Sequence, residues 1–221
     1  MAYSQIAVIL DRSGSMSSVK QDTIGGFNEF VSKQKTNANP TKLLLTQFDD
    51  VYEILYNRDV KEVQNLDDTT YVPRGSTALH DAIGRTVSDL GRELSIKNPQ
   101  DRPDRVLVLI ITDGFENASK EYNAAKISEM IKHQQEKYSW EFMFLGTSKE
   151  AVLSAQSYGI KSGNTAVYFS GNVNGALRTM SAKASNYASA DITDISKATQ
   201  DLAFTEQEMA DLLDDKKPVK K

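Results

Sequence analysis

Two unbroken apolar runs, Ile6 to Leu10 and Val106 to Ile111, constrain this chain more than any other feature. A strand with one wet face alternates polar and apolar residues, so a run without alternation reads as a strand buried on both faces, as in the middle of a parallel sheet. Each run breaks into polar residues. The first ends in Asp11-Arg12-Ser13-Gly14-Ser15-Met16 and the second in Thr112-Asp113-Gly114. In an open α/β sheet, ligands bind at the carboxyl ends of the strands. One carboxylate and two hydroxyls at the first strand end are hard oxygen ligands, suited to Mg²⁺ or a similar cation rather than zinc.

Strand-like and helix-like segments alternate through about residue 190. Residues 6–10, 43–48, 51–56, 106–112, 141–145 and 165–169 are short, rich in β-branched, leucine or aromatic residues, and bounded by polar turns, which predicts six strands. Amphipathic stretches at 18–35, 78–94, 122–138, 149–158 and 172–187 predict helices; Leu79, Ile83, Val87, Leu90 and Leu94 recur at helical spacing. Only Asp49-Asp50 separates the second and third strands, too short for a crossover, so these two should form an antiparallel hairpin at one sheet edge. The expected fold class is α/β: a doubly wound, mostly parallel six-stranded sheet with one antiparallel edge strand and helices on both faces. Residues 1–190 form the predicted domain and 191–221 a C-terminal extension. Within the extension, Thr205-Glu206-Gln207-Glu208 has the spacing of a capping box and could open a short helix through Leu213, followed by a solvated charged tail from Asp214; a frayed terminus is the expected state. Gly25-Gly26, inside the first helical stretch, reads as a close helix-sheet approach.

Composition narrows the function classes. A chain of 221 residues suits one α/β domain with a short appendage, and no apolar run approaches the length needed to cross a bilayer. The first strand starts almost at once, leaving no room for a secretory signal, and the absence of cysteine excludes disulfides and thiolate metal sites. A cytoplasmic protein with no membrane role is therefore expected. The formal charge of −4 counts against a nonspecific nucleic-acid binder.

A third loop completes the pattern. Gly75-Ser76-Thr77 is a glycine turn that delivers hydroxyls at a helix start, so three loops can converge on one ion. Taken singly, Asp11, Ser13, Ser15 and Thr77 would also serve as helix caps. Taken jointly, Asp11-x-Ser13-x-Ser15, Thr77 and Thr112-Asp113-Gly114 resemble the metal-ion-dependent adhesion site of von Willebrand factor type A domains, and the element order is similar over roughly residues 3 to 190. Short single-domain relatives in bacteria and their phages look most similar. The resemblance implies that Ser13, Ser15 and Thr77 are hydroxyl ligands, and that Asp11 and Asp113 bind directly or through ordered water. It implies Mg²⁺, or Mn²⁺ or Ca²⁺, as cofactor, and as partner a protein offering an Asp or Glu carboxylate, in the setting of an ATPase or stress-response complex. Arg12, Met16, Tyr71, Arg74, His80, Phe115, Glu116 and Asn117 flank the motif as candidate rim residues, His80 at an exposed helix position.

An enzyme is the rival class. A Mg²⁺-dependent phosphoester hydrolase of the haloacid dehalogenase type also places an aspartate after its first strand, but it needs a second aspartate two residues on as acid and base, where this chain has Ser13. No phosphate-binding loop for a nucleoside triphosphate and no Gly-x-Gly-x-x-Gly turn is present. A scaffold that keeps the fold without using the metal is the other alternative.

Overall fold

The computed structural model describes residues 3–214. Strands β1 (Ser4–Asp11) and β4 (Arg105–Ile111) are buried along their whole length and lie side by side in parallel, with Leu10 opposite Ile111. Strand β2 (Thr41–Phe48) flanks β1 in parallel, and β3 (Tyr52–Asp59) runs antiparallel to β2. On the other side, β5 (Glu141–Gly146) and β6 (Thr165–Val167) continue the parallel sheet. Among the described residues, six strands form one sheet in the order β3-β2-β1-β4-β5-β6. The antiparallel strand at the edge is the one the Asp49-Asp50 turn predicts.

Both faces of this sheet are covered, which explains why the central runs do not alternate. Ile6, Val8 and Leu10 point into one layer, under helices α1 (Lys20–Gln34) and α5 (Val173–Ser189). Ala7 and Ile9 point into the other, with α2 (Leu79–Ser95), α3 (Ala124–Tyr138) and α4 (Lys149–Ser157). Helix α2 carries its apolar stripe as the heptad-like spacing predicts, with Leu79, Ile83, Val87, Leu90 and Leu94 all buried. No helix among the described residues is long and apolar enough to cross a membrane.

One expectation changes. A Cβ on Gly26 would lie 2.9 Å from Leu177 Cδ1 and 3.0 Å from Asn174 Cα, so the close approach is between α1 and α5, not between helix and sheet. The described part of the extension is packed. Helices α6 (Ile195–Gln200) and α7 (Glu206–Leu213) fold back along α5, and Leu202, Phe204 and Leu212 join the α1/α5 core layer. The Thr205–Glu208 capping box forms as predicted. Lys183 on α5 holds the return segment: its buried ammonium donates to Asp201 O and Ala203 O and pairs with Glu208 at 2.9 Å. α6 has six residues and too few apolar positions to show a period, so its sequence gives no helical signal. Residues 215–221 of the predicted tail lie outside the described residues.

Candidate metal centre

The parallel pairing of β1 with β4 brings Asp11 and Thr112 together at the carboxyl ends of these central strands, although 101 positions separate them in sequence. Asp11 is fully buried. Its Oδ1 accepts from Ser13 N at 2.6 Å and its Oδ2 from Thr112 Oγ1 at 2.5 Å. Ser13 Oγ and Ser15 Oγ lie 3.1 Å apart, and Ser15 Oγ donates to Asp113 Oδ1 at 2.6 Å. Thr77 meets the cluster from the third loop, since a Cβ on Gly114 would come within 2.9 Å of Thr77 Oγ1. The five sequence-predicted residues therefore stand together at the carboxyl ends of β1 and β4.

Backbone bonds lock the loops to one another. Gly14 N donates to Gly75 O, Arg74 N to Arg12 O, and Ala78 N to Asp49 O. Asn117 clamps Thr77 through both backbone groups: Thr77 N donates to Asn117 Oδ1 at 2.9 Å and Asn117 N to Thr77 O at 3.0 Å. Beneath the site, Tyr71 OH donates to Asp11 O at 2.7 Å and Tyr168 OH to Thr112 O at 3.3 Å.

The electrostatics fit a cation. Burial raises the Asp11 carboxyl to about 6, only partly offset by its bonds from Thr112 and Ser13, and the Asp113 charge adds to the rise. Asp113 is likewise raised by burial. Among the described residues, no arginine forms an ion pair with these two carboxylates: Arg12, next to Asp11 in sequence, turns to Asp49 at 3.0 Å and Glu53 at 2.5 Å. Among the described residues, no group of three or more His, Cys, Asp or Glu side chains comes together as a metal cluster. The donor set here is instead two carboxylates and three hydroxyls, all oxygen, which matches a hard divalent ion.

The predicted rim is smaller than expected. Arg12, Met16 and Tyr71 are buried, because Arg12 joins the Asp49 network while Met16 and Tyr71 enter the core under the loops. His80 is not exposed: its Nε2 hydrogen-bonds Tyr158 OH at 2.9 Å, and its backbone N–H donates to Glu116. Glu116 also accepts from Ala118 N, Ser119 N and Ser119 Oγ, so it ties its loop to α2. Phe115 and Arg74 remain exposed beside the site. Thr112, Asn117 and Asp49 are supporting residues whose sequence neighbourhoods do not reveal their partners.

Six strands in this order, with three oxygen-bearing loops gathered where β1 and β4 end, decide the architecture. The fold is that of a von Willebrand factor type A domain. No family model matches the sequence, and no curated protein does, so the likeness rests on solved structures. One is a von Willebrand factor type A protein from Catenulispora acidiphila, 13% identical, with a TM-score of 0.56 over 84% of this chain and 43% of that one. Another is the von Willebrand domain of the type V pilus tip protein Mfa5 from Porphyromonas gingivalis, 9% identical, with a TM-score of 0.58 over 83% and 95%. A third is proximal thread matrix protein 1 from the mussel byssus with a zinc-occupied adhesion motif, 13% identical, with a TM-score of 0.58 over 80% and 47%. The chain spans less than half the length of the first and third of these structures.

Proposed function

We propose that this type A domain is a divalent-metal-dependent protein-interaction module. Asp11, Ser13, Ser15, Thr77 and Asp113 would hold Mg²⁺, or Mn²⁺ or Ca²⁺, and the partner would contribute an Asp or Glu carboxylate. The observation that carries this reading is the buried, uncompensated Asp11 beside the Ser13, Ser15 and Asp113 chain of hydrogen bonds. When bound, a divalent ion would supply positive charge facing an incoming carboxylate. The protein's part is to orient its donors beforehand. Ser13 N and Thr112 Oγ1 fix both Asp11 oxygens, and three neutral hydroxyls add ligands without cancelling more of the ion's charge.

Catalysis has weaker support. Asp11 has no second carboxylate two residues on, where the chain has Ser13, so a phosphoester hydrolase lacks its acid-base partner. The His80 ring hydrogen-bonds Tyr158, and among the described residues no histidine bonds Ser13 or Ser15 as a base. A cytoplasmic location, a bacterial or phage source, and a partner belonging to an ATPase or stress-response complex complete the proposal.

The test is affinity capture in Mg²⁺ or Mn²⁺ and again in EDTA, with the Asp11→Ala variant alongside. Partners lost both on chelation and in Asp11→Ala support the module. Equal capture in EDTA favours the metal-free scaffold, and phosphoester turnover abolished by Asp11→Asn would favour an enzyme.

A further inference from the structure

The metal loops occupy the carboxyl ends of the strands, and a separate concavity opens at their amino ends. A cavity of about 440 Å³ lies between the last turns of α2 and α3 and the chain entering β4 and β5. That volume falls within the roughly 300 to 1,000 Å³ typical of small-molecule sites. Leu94, Val106 and Trp140 form an apolar floor within the α2/α3 layer. His133 and Tyr138 form a wall, edge to face at 5.6 Å between centroids, with Tyr138 58% exposed.

Two backbone features build this space. Ser139 is the non-glycine residue with positive φ among the described residues, at 54°. It turns the chain between Tyr138 and Trp140 while Trp140 N returns to Gln134 O, so both rings line one cavity. Gly91 lies inside α2, where glycine disfavours a helix, and a Cβ there would stand 3.4 Å from Gln134 Nε2. The missing side chain keeps the space between α2 and α3 open.

The polar lining offers donors and acceptors together. Arg102 is fixed by bonds from Nε to Lys97 O at 3.1 Å and from Nη2 to Ser95 O at 3.0 Å. Asp104 Oδ2 accepts from Tyr3 N at 2.7 Å, and the Gln134 amide carries both a donor and an acceptor. An aromatic acid would suit Arg102 but set its charge against Asp104, and an organic cation would do the reverse. A neutral heterocycle with ring nitrogens and amino groups satisfies both.

We propose that this cavity binds a flat nitrogen heteroaromatic ligand of purine-nucleoside size, stacked on the aromatic wall and read at its edge by Arg102, Asp104 and Gln134. Trp140 is the single tryptophan, so its indole N–H gives one resonance in ¹⁵N-labelled protein. Adenosine is titrated in EDTA, which keeps the metal centre out of the measurement, with 2-naphthoate and choline as comparison probes. A saturable shift of that resonance by adenosine is expected. It should weaken about tenfold in Gln134→Ala, about the effect of one hydrogen bond, and more in Gly91→Leu, which fills the opening and favours the helix. An absent shift, an undiminished shift in Gly91→Leu, or equal binding of naphthoate or choline would overturn the proposal.

Discussion

Thr112 Oγ1 donates to Asp11 Oδ2 at 2.5 Å and ties the end of β4 to the end of β1. The same hydroxyl accepts from Gly114 N at 3.1 Å, so one side chain orients both the buried carboxylate and the turn after Asp113. Thr112→Val keeps the shape and removes the donor. Mn²⁺ binding by calorimetry should weaken roughly 10- to 100-fold, as for other groups that orient a metal ligand. Urea unfolding should show a loss of about 1–3 kcal/mol, with Thr112→Ser recovering both. Unchanged Mn²⁺ affinity in Thr112→Val would separate this bond from metal binding.

The Asp11 carboxyl, raised by burial to about 6, makes stability depend on pH. An unfolded aspartate releases its proton near pH 3.9, so between about pH 4 and 6 the folded state holds a proton that the unfolded state has lost. In metal-free protein this contribution to stability is present below about pH 4 and disappears as the pH rises through 6. A cation favours the ionised form. The rise in Tm caused by Mn²⁺ should therefore grow from about pH 5 to pH 7 in scanning calorimetry. An increment that does not change over that range would show that Asp11 does not ionise on metal binding.

Adjacent glycines should respond in opposite directions. Gly26→Ala places a Cβ about 3.0 Å from the Asn174 backbone, which cannot swing aside, and should cost about 1–3 kcal/mol in denaturant titration despite alanine's helix propensity. Gly25→Ala meets Asn174 Nδ2 at 3.7 Å, an ordinary contact, and should stabilise by about 0.4–1 kcal/mol. Equal effects at the two sites would contradict the α1/α5 contact.

The return segment should behave as part of the core. Leu212→Ala, at a fully buried position, is expected to cost about 2–5 kcal/mol. A chain ending at residue 190 uncovers the α5 face beneath Leu202, Phe204 and Leu212 and should unfold at lower urea concentration than the full chain. A truncated chain as stable as the full one would show that α6 and α7 are dispensable.

The sequence alone determined the sheet and pointed to the residues proposed to hold the metal. Ile6 to Leu10 and Val106 to Ile111 can only be satisfied by burial on both faces, and the short turn at Asp49-Asp50, three residues with Val51 in the structure, allows only an antiparallel hairpin, so local patterns carried that information. The capping box at Thr205 was legible for the same reason: its partners are three residues apart. What the tertiary structure decided depends on residues far apart in the chain. The Thr112 bond to Asp11, the Asn117 clamp on Thr77, the burial of Arg12 against Asp49 and the engagement of His80 by Tyr158 each join segments 37 to 101 positions apart. A side chain's charge and hydrogen-bonding type are fixed by its identity. Its burial and its partner are fixed only when β1 meets β4 and the loops close over them, and those two properties set whether Asp11 faces a cation or an arginine.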